Sequence, residues 1–90
     1  MKIDFDPAKD RANTEKHGCS LALAERFEWD GAYVIADTRF DYGEERCIAF
    51  GYIGRRLYIC IFTDREPGRR VISLRKANDR EERAYAKAKA

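Results

Sequence analysis

Two adjacent cations, Arg75 and Lys76, stand where a predicted strand meets the last predicted helix. Asn78 lies three residues before Glu81, which is the spacing of a capping box, so the helix should begin within a residue or two of Ala77. The first amides of a helix have no partner within the helix, and the helix dipole adds partial positive charge there. Cations beside such amides favour an anion, and a guanidinium can hold a phosphate through two hydrogen bonds. The junction is therefore a predicted anion site.

Alternation along the strand before this junction gives it two faces. One face carries Ile72 and Leu74, and the other carries Val71, Ser73 and Arg75. On that second face Arg75 can reach a phosphate. The alternative is a surface ion pair between Arg75 and Glu81 or Glu82, which would contribute little to stability.

His17 is the only histidine of the chain, and its unperturbed pKa lies near neutrality. It ends a predicted helix, whose negative C-terminus should raise the pKa of the imidazole. A raised pKa would suit an acid in catalysis better than a base. The alternative is a histidine that only complements the helix terminus.

Arg46 is a further candidate, at the start of another predicted strand. Glu44 and Glu45 precede it directly. A local salt bridge is therefore the alternative to a functional role for this arginine.

Capping residues and periodicity define the elements that must position these groups. A short strand at residues 2–5 leads into a helix that Asp6-Pro7 begins and Gly18 ends, and Ser20 begins a second helix that Asp30-Gly31 ends. Further strands are predicted at residues 33–38, 46–53, 57–63 and 70–75. Their short connections imply an antiparallel meander, with strand 57–63 placed centrally. The prediction is one α+β domain, residues 1–90, with an antiparallel sheet of four to five strands, two N-terminal helices and one C-terminal helix, in the order β-α-α-β-β-β-β-α.

Composition narrows the class of protein further. The formal charge is +2, from 18 Lys and Arg against 16 Asp and Glu, but cations concentrate in the last third of the chain. The three cysteines, at positions 19, 47 and 60, lack C-x-x-C spacing, and no carboxylates cluster at metal spacing, so no disulfide, metal or cofactor is predicted. There is no signal peptide and no membrane-length apolar run, which predicts a cytoplasmic protein.

Several short motifs follow one another along the chain. They are Lys16-His17-Gly18, then Ser20-Leu21 with Ala24 and Phe27, then Glu44-Glu45-Arg46, then Gly51, Arg55 and Leu57, and last Ile72-Ser73 and Arg75-Lys76-Ala77-Asn78 with Glu81 and Tyr85. Through these motifs the sequence resembles the BrnT family, the toxins of bacterial type II toxin–antitoxin pairs, over nearly its whole length. One departure is Phe5, where family members commonly have tryptophan before the first Asp-Pro. The ring is kept, so we expect a packing role there.

The resemblance implies a RelE-like fold and a ribonuclease activity that inhibits translation. It also implies a cognate BrnA-type antitoxin, which neutralises the toxin and binds the operator DNA of the shared operon with it.

RNA cleavage without a metal needs a base for the ribose 2′-hydroxyl proton, cations for the crowded phosphate, and in some cases an acid for the leaving oxygen. The products would be a 2′,3′-cyclic phosphate and a 5′-hydroxyl. The predicted catalytic residues are Arg75, Arg46, His17 and Lys76, and the predicted RNA-binding residues are Arg70, Lys16, Arg83 and Tyr85. Which group acts as the base stays open.

The aromatic residues have structural alternatives. Tyr85 is favoured as an anchor of the last helix on the sheet, with RNA stacking as the sharper hypothesis. Tyr58 and Phe62 could stack on bases if one face of their strand were exposed, but coverage of both faces is favoured.

Two other functions compete with a ribonuclease. One is a module that binds a partner, RNA or DNA through a basic face without chemistry. The other is an inactive toxin that serves only in repression of its own operon.

Overall fold

The N-terminal helix follows its sequence signals closely. The computed structural model describes all 90 residues. Helix α1 spans Pro7–His17, and the Asp6 carboxylate accepts a hydrogen bond from the Ala8 amide. Gly18 ends the helix in the left-handed conformation, with φ of 77°. Because a residue without a Cβ adopts this conformation at little cost, the helix ends where the glycine predicts.

Five strands form one mixed sheet. They are β1 Ile3–Asp4, β2 Tyr33–Ala36, β3 Cys47–Ile53, β4 Arg56–Arg65 and β5 Gly68–Lys76, in the spatial order β1-β5-β4-β3-β2. Strands β2 to β5 form the predicted antiparallel meander, with β4 at its centre. The prediction of an entirely antiparallel sheet was wrong, because β1 pairs with β5 in parallel. No hairpin connects these two strands, so no turn forces them into opposite directions.

The second predicted helix is a 3-10 helix. It spans Leu21–Arg26, Ser20 caps it as predicted, and a separate 3-10 turn, Trp29–Gly31, follows. The predicted element order was therefore wrong in detail, with two 3-10 segments in place of the second α-helix. Three buried residues at intervals of three, Leu21, Ala24 and Phe27, explain the winding. Three residues per turn bring such positions onto one side, which here faces the sheet.

The two faces of the sheet bury two separate clusters. The larger cluster contains Leu21, Ala24, Phe27, Ala49, Tyr58, Cys60, Phe62, Val71 and Leu74. The smaller one contains Phe50, Leu57, Ile59 and Ala77, with Tyr85 packed against it. The larger cluster requires a glycine in β3, since a Cβ at Gly51 would lie 2.6 Å from the Phe27 ring.

A β-bulge changes the predicted alternation in β5. The register pairs Phe62 with Val71 and Ile61 with Ser73, which leaves Ile72 as an extra residue. Val71 and Leu74 are consequently both buried in the larger cluster. The prediction that Ile72 shares a face with Leu74, opposite Val71, was wrong, because a bulge adds one residue to the two-residue period.

Helix α2 spans Asp79–Lys89 and begins with the predicted capping box. The Asn78 side chain accepts a hydrogen bond from the Glu81 amide, and the Glu81 carboxylate accepts one from the Asn78 amide, both at 2.9 Å. Only Ala77 and Asn78 separate β5 from α2. None of the helices is both long enough and apolar enough to span a membrane.

Candidate active site

Four basic side chains meet in a cleft between α1 and the end of β5. Lys16 and His17 come from the last turn of α1, and Arg75 and Lys76 come from the end of β5. The cleft has a volume of about 560 Å³, and its other lining residues are Gly18, Cys19, Leu23 and Tyr58. No carboxylate lines it. A concave surface with charge of one sign concentrates ligands of the opposite sign, here anions.

Asn13 holds α1 in this position, against the edge of β5. Strand β1 pairs only with the first part of that edge. Further along, Asn13 Nδ2 donates to the Leu74 carbonyl at 2.8 Å, and Asn13 Oδ1 accepts from the Leu74 amide at 3.1 Å. Nδ2 also donates to the Cys19 carbonyl at 3.0 Å. The buried amide thus takes the place of a neighbouring strand and satisfies backbone groups that would otherwise lack partners.

Helix α2 holds the Arg75 guanidinium. Arg75 Nη1 and Nη2 donate to the two carboxylate oxygens of Glu81 at 2.8 and 2.7 Å. These hydrogen bonds lower the pKa of Glu81 and raise that of Arg75. The ion pair described above as the alternative role of Arg75 is therefore present. The Arg75 side chain is still 33% exposed, and its Nε has no partner in the protein, so a ligand in the cleft can contact it.

His17 is the titratable group of the cleft. Partial burial lowers the pKa of His17 below 6.5, and the positive charges of Lys16 and Arg75 lower it further. The prediction that the helix C-terminus raises this pKa was wrong, because desolvation and two nearby cations outweigh the dipole. The imidazole is consequently mostly neutral at pH 7, which suits a general base better than a general acid.

The lysines supply unneutralised charge. Arginines form all six ion pairs of the structure. The ammonium groups of Lys16 and Lys76 are therefore free to contact an anion. No three His, Cys, Asp or Glu side chains lie together as a metal-binding group.

Sequence reasoning did not propose the Cys19 thiol or the Tyr58 hydroxyl as groups of the site, and it considered Tyr58 only for base stacking. The Cys19 thiol donates to the Leu74 carbonyl at 3.4 Å, and burial raises the pKa of this thiol, so it is not a thiolate nucleophile. Tyr58 lies opposite Lys76 in the register of β4 and β5. Its ring is buried, as favoured, but its hydroxyl has no hydrogen-bond partner in the protein and can contact a ligand. Only the strand register could have identified it.

Arg46 lies outside the cleft. It forms a salt bridge with Glu44 at 3.1 Å and lies over the ring of Tyr42, 4.1 Å from its centroid. The local pair considered as its alternative role is thus present. Arg46 directly precedes β3, whose first residue, Cys47, pairs with Phe62, whereas Arg75 pairs with Ile59, about 10 Å away along β4.

The other predicted RNA-binding residues are also dispersed. Arg70 is paired with Asp4 at 3.1 Å, and Arg83 is exposed on α2. The Tyr85 ring packs edge-on against Tyr52, and its hydroxyl donates to the Gly31 carbonyl at 3.4 Å. Tyr85 therefore anchors α2 to the sheet, the role favoured for it.

The fold and the cleft define the class: a small α+β protein with unneutralised lysines in a cleft that suits an anion. A family model described as "Ribonuclease toxin, BrnT, of type II toxin-antitoxin system" matches residues 5–81. The chain belongs to this family, which confirms the resemblance predicted from the motifs. A search of curated proteins finds no match. Membership in a family of ribonuclease toxins implies an RNA target and an antitoxin partner.

Proposed function

We propose that this chain is a metal-independent endoribonuclease and that its reaction takes place in the cleft between α1 and β5. The observation that carries the proposal is that a neutral imidazole and unneutralised cations meet on a surface that no carboxylate lines. RNA supplies its own nucleophile, the ribose 2′-hydroxyl. Cleavage then requires proton transfer and stabilisation of negative charge on the phosphate, and the cleft offers groups for both.

In the proposed reaction, His17 takes the proton of the 2′-hydroxyl, and the 2′-oxygen forms a bond to the adjacent phosphorus. The bond from phosphorus to the 5′-oxygen breaks, and the leaving oxygen keeps the electron pair and takes up a proton from water. The products are a 2′,3′-cyclic phosphate and a 5′-hydroxyl. Arg75, Lys76 and Lys16 stabilise the charge that builds up on the phosphate oxygens.

The test is cleavage of labelled RNA by the purified protein in EDTA, with parallel samples of purified ribosomes carrying mRNA. We expect cyclic-phosphate ends in at least one of these two substrates, and a loss of roughly 100-fold or more in the His17→Gln and Lys76→Ala variants. The matched control is Arg11→Ala, an exposed arginine of α1 outside the cleft. Intact RNA with both substrates, or equal cleavage by all variants, would overturn the proposal.

A binding module without chemistry is the second candidate function. The engagement of Arg75 by Glu81 favours it, because a guanidinium held by a carboxylate is less available to stabilise the charge that builds up on a reacting phosphate, while Lys16 and Lys76 can still bind RNA. Such a protein would retain RNA in a binding assay and leave it intact.

The proposed partner in the cell is a BrnA-type antitoxin, and operator DNA would be bound only through the complex of the two proteins. Co-expression with the neighbouring reading frame should relieve growth arrest. A gel-shift assay should then show operator binding by the complex and none by this chain alone.

A further inference from the structure

A second depression adjoins the cleft along α1. Its volume is about 200 Å³, and it is lined by Lys9, Ala12, Asn13, Ile72 and Ser73, together with Lys16 and His17. Because Lys16 and His17 also line the cleft, the two cavities are consecutive parts of one groove between α1 and the edge of β5. Like the cleft, the depression has no acidic lining residue.

Polar residues of this groove form a stripe on α1, with a lysine at each end. The spacing i, i+4, i+7 places Lys9, Asn13 and Lys16 on one side of the helix. Seven residues of helix separate the two lysines by about 10 Å. Neither lysine takes part in any of the six ion pairs. The acidic Asp10 of the same helix is occupied elsewhere, since it accepts hydrogen bonds from the Ser20 hydroxyl and the Leu21 amide.

The opposite wall of the depression comes from the β-bulge. The extra residue, Ile72, has no partner in β4 and contributes apolar surface to the groove. Ser73 follows it, and the Ser73 hydroxyl makes no hydrogen bond within the protein. A lysine, an apolar side chain and a free hydroxyl thus face one small space. This combination suits a nucleotide, which presents a phosphate, a base and a ribose.

We propose that the depression is a subsite for the nucleotide next to the one whose phosphate reacts, with Lys9 on the neighbouring phosphate and Ile72 and Ser73 on the base and ribose. The proposal rests on the proposed function, because it assumes that the reacting phosphate occupies the cleft. With this subsite, the substrate would be a single-stranded RNA that continues along α1, and the bulge in β5 would help to hold that RNA strand.

The test compares Lys9→Ala and Ser73→Ala with the wild type, and Lys87→Ala serves as the control because Lys87 lies on α2, outside the groove. Binding is measured with a hexanucleotide whose ribose at the cleavable position is 2′-deoxy, so that it cannot be cut. For Lys9→Ala we expect weaker binding by roughly three- to tenfold and a salt slope shallower by about 0.7, the value for one phosphate contact on a single strand. Lys87→Ala should match the wild type.

Cleavage of a dinucleoside monophosphate separates this proposal from the proposed function. Such a substrate has no phosphate for Lys9, so Lys9→Ala should cleave it as the wild type does, while KM for a cleavable hexanucleotide rises. Wild-type affinity and salt slope in Lys9→Ala would overturn the subsite, even with nuclease activity intact. Loss of binding in Lys9→Ala, together with intact RNA in both the free and the ribosome-bound samples, would support the subsite as an RNA contact and overturn the nuclease.

Discussion

His17 carries the proposed proton transfer, and its environment determines which way the proton moves. Burial, Lys16 and Arg75 all lower the pKa of this imidazole, so the neutral form predominates at pH 7. The rate of cleavage should therefore rise with pH through a midpoint below 6.5 and level off above it, as expected when the basic form of His17 is required. An acid role would give the opposite slope.

The chain contains a single histidine, so one ring resonance reports the pKa directly by NMR. We expect a midpoint below 6.5 in the wild type and a higher one in Lys16→Ala, which removes a cation beside the ring. Arg11→Ala, with its charge outside the cleft, should leave the midpoint unchanged. A wild-type midpoint above 6.5 would show that the helix C-terminus dominates after all.

Glu81 joins two roles in one carboxylate, since it caps α2 and holds Arg75. Glu81→Gln keeps an oxygen for the Asn78 amide but loses the charge that orients the guanidinium. We expect stability to fall by only about 0.5–1 kcal/mol, because the ion pair is partly exposed. Cleavage should fall by more than this loss of stability can explain, through a lower kcat.

A double-mutant cycle with Arg75→Ala separates the two contributions of Glu81. If Arg75 acts in cleavage through the position that Glu81 gives it, the Gln substitution should have little further effect on kcat in the Arg75→Ala background. Additive losses of kcat in the double variant would show that Glu81 does not position Arg75.

At the scale of elements, the sequence predicted the features that depend on neighbouring residues, but it did not predict how all the strands pair. Asp6, Gly18 and Asn78 act on their immediate neighbours, so the limits of α1 and the start of α2 could be predicted from the sequence. The parallel pairing of β1 with β5 joins strands that are distant in sequence, and the bulge at Ile72 depends on the register between β4 and β5; neither leaves a local signal.

Asn13 makes another nonlocal contact, because its side chain joins α1 to β5 across 61 residues of sequence. Asn13→Leu should lower the free energy of unfolding by about 2–4 kcal/mol, since the buried amide of Leu74 would lose its partner and the Leu74 carbonyl would keep only the hydrogen bond from the Cys19 thiol. Urea unfolding measures the loss. Activity should also fall at temperatures where the variant is folded, because α1 positions Lys16 and His17. Thr14→Ala, the next residue on an exposed side of α1, is the control, and equal effects of both variants would contradict a special role for Asn13.

At the scale of the whole molecule, the candidate site is only partly predictable. Lys16, His17, Arg75 and Lys76 were all proposed from sequence, and they share one cleft because the end of α1 packs beside the end of β5. Arg46 was proposed with them but lies farther along the sheet. It directly precedes β3, which begins its pairing with β4 at Cys47 and Phe62, and motif spacing does not encode this register. Lys9 was not proposed, and Tyr58 was considered only for base stacking, because each reaches the groove through packing between distant segments.

The stability of the whole domain should depend on pH through a network in the connection from β2 to β3. The Asp37 side chain is fully buried and accepts hydrogen bonds from Arg39 Nε and Nη2, both at 2.8 Å, and from the Tyr42 hydroxyl at 3.2 Å. The hydrogen bonds from Arg39 are the main cause that lowers the pKa of Asp37 to about 2. In the unfolded chain the same carboxyl titrates near its ordinary pKa of about 3.9.

The contribution of the Asp37 carboxylate to folding stability should therefore be complete above about pH 4 and disappear as the pH falls towards 2, because the unfolded state takes up its proton at a higher pH than the folded state does. Asp37→Asn removes this titration. At pH 7 it should lower the free energy of unfolding by only about 1 kcal/mol, because Arg39 is 57% exposed and can form hydrogen bonds with water instead. Urea unfolding at pH 7, 4 and 2.5 measures the difference in the free energy of unfolding between the wild type and Asp37→Asn, and this difference should become smaller as the pH falls. The control is Asp41→Asn, at an exposed neighbouring position, which should show no such trend. A difference between wild type and Asp37→Asn that stayed constant down to pH 2.5 would mean that the carboxylate of Asp37 does not stabilise the fold through its charge.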